Sequence, residues 1–220
     1  MTLLALDTAL SRCSAAVLRD DGSLAALSED LGRGHAERLA DMVREVMASA
    51  AVGFADLDRI AVTVGPGSFT GLRVGLSLAR GFAVVWPVEL VGVTTLAAIA
   101  EAAREKAGAH SLAVVLPARG GEVYAQLFAA DGAPEGAPAA VVAEDFAASL
   151  PGDARLAGAA APAIAQIRAD LEIVDLSPAP DIAAVARLGL GASSPDGPPM
   201  PLYLKPPDAK PQTRFRIAHA

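Results

Sequence analysis

The sequence predicts an α/β fold, a mixed sheet opened by a three-stranded meander and covered by helices. Three observations predict it. Short apolar runs separated by turn residues fill the first 27 positions. A helical stripe then replaces them over residues 39–50, and apolar strands alternate with helices from there to about residue 106.

The runs 3–6, 13–18 and 24–27 predict the meander, with the turn Asp20-Asp21-Gly22-Ser23 between the last two. Leu39, Met42, Val43, Val46, Met47 and Ala50 fall at i, i+3, i+4, i+7, i+8 and i+11. Glu37, Arg38, Asp41, Arg44 and Glu45 take the other faces, which predicts an amphipathic helix. Residues 60–64 read as a buried strand, 68–86 as a glycine-containing helix, 90–93 as a strand and 95–106 as a helix. A second unit begins near His110, with strands at 112–116 and 122–128 around Ala118-Arg119-Gly120-Gly121. After Asp131 periodicity weakens; short helices are expected at 164–169 and 182–190, and a proline-rich connector at 193–201. The expected organisation is residues 1–108, 109–204, and a basic, proline-containing tail over 205–220, read as flexible.

Composition excludes several classes of function. Apolar residues make up 53% of the chain but aromatics only 4%, so its cores rely on close backbone approach rather than on large side chains. A net charge of −7 without a basic stripe argues against gripping nucleic acid alone. Cys13 is the single cysteine, which excludes an internal disulfide and a cysteine-based zinc site. His35, His110 and His219 form no HxxxH or HExxH pair, so no metal site is expected. His35, two residues before Glu37, reads as a helix-start residue. The longest apolar run, 81–88, stops at Glu89, well short of a membrane span, and no signal peptide is evident; a cytoplasmic protein is expected.

The most informative stretch is the strand–turn–helix over residues 62–81. Gly65-Pro66-Gly67 leads to Ser68, which sits where a helix N-cap belongs. Strand, glycine turn and helix start form the setting of a phosphate cradle, with Asp7 and Thr8 at the end of the first strand beside Gly65, Gly67 and Ser68 as nucleotide-proximal candidates. The spacing matches neither the P-loop nor GxGxxG. Inside the helix, Gly67, Gly71, Gly75, Ala79 and Ala83 recur every four residues, a ridge of small residues that admits close approach. The pattern leaves open whether a phosphate, another part of the chain or a second protein approaches. For the last, the expected partner-binding residues are Leu39, Met42, Val43, Val46 and Met47 on the first helix. On the second they are Gly71, Leu72, Gly75, Leu76, Leu78, Ala79 and Phe82. Ser68 lacks a G-x-S-x-G context, so no catalytic residue is expected.

Five segments carry a family resemblance: Leu4-Ala5-Leu6-Asp7-Thr8, Gly34-His35-Ala36-Glu37-Arg38-Leu39, the block 65–81, Gly121-Glu122-Val123-Tyr124, and Pro201-Leu202-Tyr203-Leu204-Lys205. Together they resemble the TsaB (YeaZ) family of the tRNA threonylcarbamoyladenosine machinery. The resemblance implies an actin-like/Hsp70-like ATPase fold of two ribonuclease-H-like halves, the second reduced. It implies a non-catalytic partner subunit, a pseudo-enzyme without the metal-binding histidines of TsaD, which joins TsaD in transferring threonylcarbamoyl to adenosine 37 of ANN-decoding tRNAs. TsaE joins as a third component, tRNA is met only through the complex, and a homodimer forms when the subunit is alone. In the family these contacts run through the first two helices, here 36–51 and 68–85. The resemblance implies no cofactor bound by this chain alone and leaves ATP to a composite site in the complex. Ala36 replaces a usual Ser, Pro117 a usual Asp and Lys205 a common Arg, and the loss of the carboxylate at 117 weakens any polar role for that loop. The alternative reading is a small ATPase or kinase-like enzyme of the actin-like superfamily.

Overall fold

The fold is built outward from two strands with no exposed face. Leu3–Asp7 (β1) and Arg59–Gly65 (β4) are buried along their whole length, so they are central strands of a sheet covered on both sides. In the computed structural model, which describes residues 1–193 and 197–205, β1 pairs antiparallel with Arg12–Leu18 (β2) and parallel with β4. Leu24–Asp30 (β3) and Glu89–Thr94 (β5) close the edges, giving the order β3-β2-β1-β4-β5. Exposure alternates along β3, an edge strand with Glu29 and Asp30 at its end.

Side chains of the central strands alternate between two cores. Leu4, Leu6, Ile60 and Val62 face His35–Ser49 (α1) and Phe69–Val85 (α2). Leu3, Ala5 and Ala61 face the opposite way, against Ile182–Gly191 (α6).

The second half repeats the plan. Leu112–Pro117 (β6), Glu122–Phe128 (β7) and Pro134–Val142 (β8) form a meander, and Arg155–Ala157 (β9) and Glu172–Asp175 (β10) add parallel to it. The order β10-β9-β6-β7-β8 is that of the first sheet, strand for strand. Ala143–Ser149 (α4) and Ala161–Ile167 (α5) cover one face. The other face is covered by Thr95–Ala107 (α3), which belongs to the first half in sequence; Leu96, Ile99 and Ala103 pack on Leu112, Val114 and Leu116. Each half thus ends in a helix that covers the other half's sheet. Two ribonuclease-H-like halves joined this way make the expected actin-like fold.

Arg59 fixes one of the exchanged helices. Its Nη1 donates to the carbonyls of Gly189, Leu190 and Ala192 at the end of α6, while Nε donates to Glu89 at 2.7 Å. The segment 130–163, read from sequence as weakly periodic, holds β8, α4, β9 and the start of α5, and β10 was not anticipated. Residues 197–205 run back over the first half, where Leu202 N–H donates to the Val64 carbonyl at 2.7 Å. The tail beyond Lys205, expected to be flexible, lies outside the described residues.

Candidate functional site

The glycine turn does not hold an open cradle, because the turn after β1 occupies it. Ser68 N–H donates to the Ala9 carbonyl at 2.7 Å. A Cβ at Gly67 would run into that same carbonyl, and one at Gly71 into the Thr8 carbonyl. At Gly75 it would lie 2.8 Å from Thr8 Oγ1. That hydroxyl donates to the Gly71 carbonyl at 2.7 Å and accepts from Gly75 N–H at 3.1 Å, stitching the turn to the helix. Ser68 caps α2 as expected, its Oγ accepting from Gly71 N–H.

The small-residue ridge therefore receives the chain's own Thr8-Ala9 turn. Of the twelve expected partner-binding residues, Leu39, Met42, Val43, Val46, Met47, Gly71, Leu72, Gly75, Leu76 and Ala79 are buried within the protein itself, against the sheet or the Thr8-Ala9 turn. In this chain they are packed internally: α1 and α2 have a wide sheet to cover, and the apolar stripe is spent on it. Only Leu78 and Phe82 reach the surface in part.

Asp7, at the end of β1, is wholly buried. Its Oδ1 accepts from Ala9 N–H at 3.0 Å and from Thr63 Oγ1 at 2.7 Å, while Oδ2 has no partner. Burial pushes its pKa up to about 6 against the pull of those two bonds. Burial also raises the thiol of neighbouring Cys13 to about 11, with Asp7 and Glu29 adding to it, so Cys13 is an inert core residue. His35 bonds through Nε2 to the Arg12 carbonyl at 3.1 Å and opens α1, and Glu37 lies exposed in the first turn. Among the described residues no cluster of three or more His, Cys, Asp or Glu could hold a metal ion, and no described helix is long and apolar enough to cross a membrane.

What α1 and α2 leave open is a groove between them of about 600 Å³, lined by Ala36, Leu39 and Ala40 on one side and Phe69, Thr70, Arg73, Val74, Ser77 and Leu78 on the other. Phe69, at the mouth, is 48% exposed. The Arg73 guanidinium lies 3.7 Å over its ring, Tyr203 stacks on it at 5.2 Å between centroids, and Arg73 Nε donates to the Tyr203 hydroxyl at 3.2 Å. At the far end of α2, Phe54 stacks on Phe82 and Trp86, with Val84 and Val85 exposed beside them. Phe69, Arg73, Val74 and Tyr203 were missed in sequence. For Phe69 and Arg73 the signal was a second i, i+4 row of α2 (Phe69, Arg73, Ser77), two positions from the small-residue row.

Comparison with known proteins gives this geometry its context. Residues 28–167 match the family model described as TsaD, tRNA N6-adenosine threonylcarbamoyltransferase. The Escherichia coli tRNA threonylcarbamoyladenosine biosynthesis protein TsaB is 39% identical over 124 residues, 56% of this chain and 53% of that protein. The Haemophilus influenzae TsaB is 38% identical over a similar stretch, so the chain spans about half the length of these curated relatives. An uncharacterized Mycobacterium tuberculosis protein is 38% identical over 218 residues, 96% of this chain and 94% of its own length. The solved structure of YeaZ from Pseudomonas aeruginosa superposes with a TM-score of 0.74 at 31% identity, covering 86% of this chain and 91% of that one. A second Pseudomonas aeruginosa structure, described as similar to peptidase YeaZ, reaches 0.79 at 30% identity over 93% and 99% of the two chains. With family-level identity along nearly the whole of the YeaZ structure and the same two-sheet fold, the chain belongs to the TsaB/YeaZ family.

Proposed function

We propose that this protein is a non-catalytic partner subunit in the synthesis of tRNA threonylcarbamoyladenosine, holding a TsaD-type transferase in a competent arrangement through the exposed side of α1 and α2. The observation that carries the reading is the groove between these helices. It brings exposed Phe69 and partly exposed Val74 and Leu78 together in one concave apolar face between two helices. An apolar groove rimmed by charge and by an aromatic–arginine cluster has the make-up of a protein-docking surface. Residues 1–108 carry the docking helices, and residues 109–204 form the reduced second domain. In this reading TsaE completes the complex, tRNA is met only through it, a homodimer uses the same helices when the chain is alone, and the protein works in the cytoplasm. ATP, where it acts, belongs to a site composed with the partner, because Gly67 and Ser68 already face the Ala9 carbonyl.

A small ATPase or kinase finds less support. Asp7 is wholly buried and the glycine turn is filled, so a phosphate would have to displace Thr8-Ala9.

The test is size-exclusion chromatography with light scattering on the chain alone and mixed with the TsaD-type transferase of the same organism. A stable heterodimer at micromolar concentration is expected. Leu78→Arg, which changes a partly exposed groove residue, should abolish it while the variant keeps its circular dichroism and melting temperature. No complex with the unmodified chain, or full binding by the variant, sinks the proposal.

A further inference from the structure

The two halves meet through a contact that resists sliding only weakly. Where α3 packs on α6, the buried side chain on the α3 side is small: Ala98 lies with Ile182, Val185 and Ala186. Arg187 Nε donates to Glu101 at 2.9 Å across the same helices, in solvent. Beside this contact the packing is open, with a cavity of about 380 Å³ between β5 and α3 on one side and the β7–β8 hairpin on the other. Helices with shallow side chains between them can shear, so this contact alone does not set the angle between the halves.

A second connection runs through residues 199–205, which are fixed to the first half along their length. Arg80 Nη2 donates to the Pro199 carbonyl at 2.7 Å, and Pro199 rests over Gly92 of β5. Leu202 N–H donates to the Val64 carbonyl at 2.7 Å, and its side chain packs on the core beneath α1 and α2. The Leu202 carbonyl sits against Gly65, where a Cβ would lie 2.8 Å from it. With φ at +116°, Gly65 both makes that turn and leaves room for the strap. Tyr203 then stacks on Phe69 and accepts from Arg73 at the mouth of the groove.

Lys205 crosses to the second half. Its ammonium pairs with Glu122 at the start of β7 and donates to the Arg119 carbonyl in the β6–β7 turn. The two side chains of the pair are 29% and 31% exposed, so water screens it less than a pair in open solvent.

We infer that residues 199–205 form a latch that holds the two halves at one angle. It is closed by Lys205 on the β6–β7 hairpin. When that pair breaks, the halves shear along α3 and α6 into the space that the cavity leaves between them. A single residue separates Tyr203 from Lys205, so a displacement at the groove mouth reaches the second half through the same short piece of chain.

Double electron–electron resonance between two spin labels, one in each half of the full chain, tests this. Ala48→Cys on α1 and Ala148→Cys on α4 are exposed label positions, and the native Cys13 is buried and takes no label. Dilution with unlabelled protein keeps the signal to distances within one chain. The closed latch should give one narrow distance peak. Lys205→Met keeps the stem and removes the charge, and it should broaden the peak toward longer distances. A rotation on the order of 15° moves a point about 25 Å from the hinge, the length of α2, by about 6 Å. Glu122→Gln should broaden the peak as well, while Lys205→Arg, which keeps the charge and the donors, should leave it narrow. Arg187→Met, which removes the solvent-exposed bond between α6 and α3, should also leave it narrow. An unchanged peak in Lys205→Met overturns the latch. So does a peak as broad in Lys205→Arg as in Lys205→Met, or equal broadening by Arg187→Met.

Discussion

The two halves share a topology and differ in scale, and the difference shows where the molecule invests its surface. β4 has seven residues and α2 seventeen, about 23 and 25 Å long respectively. Their counterparts β9 and α5 have three and seven, about 10 Å each. Helix and strand have shortened together, so the second half keeps the covering rule with less to cover. Its helices α4 and α5, seven residues each, make about two turns. In the first half α1 and α2 bury one stripe and still present a groove.

A close approach of a glycine to a carbonyl on or just after the first strand occurs in both halves. Gly71 meets the Thr8 carbonyl in one; in the other, a Cβ at Gly158, just after β9, would run into the Val115 carbonyl of β6. The largest expected effect breaks this shared feature. Gly71→Val and Gly158→Val should each destabilise by more than about 3 kcal/mol, since backbone cannot yield as a flexible side chain does. Urea denaturation checks it. Gly75→Leu belongs with them: it fills the space held by Thr8 Oγ1 and should fail to fold rather than merely lose a partner. Native stability in Gly71→Val would show that the ridge is not packed on Thr8.

The exchange of α3 and α6 ties the halves together, and Arg59 is its most specific contact. Arg59→Met removes the donor to three carbonyls at the end of α6 and the Arg59–Glu89 ion pair. A loss of about 2–3 kcal/mol is expected, with earlier hydrogen exchange in α6 than in α3. Equal loosening of both helices would mean that the two crossings are not separately fastened.

The first half was legible because its elements are long enough to show a period. The 39–50 stripe spans more than three turns, and the central strands are uninterrupted apolar runs. In the second half, Arg155-Leu156-Ala157 is too short to display alternation, and β8 carries Pro134 and Pro138, which read as loop although an exposed edge strand tolerates them. The site divided in the same way. The four-residue spacing of glycines told of a close approach, but its occupant, Thr8-Ala9, lies some sixty residues earlier and leaves no local mark on the helix. The buried stripes of α1 and α2 were visible; which faces remained after the sheet was covered was not.

Asp7 sharpens the comparison at the equivalent strand ends, where the first half has a buried carboxyl and the second has Pro117. Because burial raises its folded pKa to about 6 above the unfolded 3.8, the folded state binds the proton more tightly. Asp7 therefore costs nothing below about pH 4, and its cost grows as pH rises, levelling off above about pH 6. Asp7→Asn keeps an acceptor for Ala9 N–H and Thr63 and should stabilise by about 1–3 kcal/mol at pH 7, with no gain at pH 4. Melting temperatures of the two proteins across that range give the answer. A constant difference would mean that packing, not titration, separates them.

The smallest expected effect concerns the returning segment 197–205, which connects α2 to the second half. Tyr203 stacks on Phe69 and accepts from Arg73, while two residues later Lys205 pairs with Glu122 of β7 and donates to the Arg119 carbonyl. Tyr203 is 41% exposed, so its ring contributes little to the core, and Tyr203→Ala should cost only about 0.5–1 kcal/mol. Its larger consequence is positional. Without the stacked ring and the phenol oxygen, Phe69 and Arg73 lose their shared support at the mouth of the groove. Hydrogen exchange of residues 199–205 should then quicken while α2 stays protected. Transferase binding, if the groove is the docking surface, should weaken more than the change in stability alone would produce. Unchanged exchange in 199–205 would place the anchoring of this segment on Leu202 and Lys205 instead, and the second half would hold the mouth of the groove through those contacts.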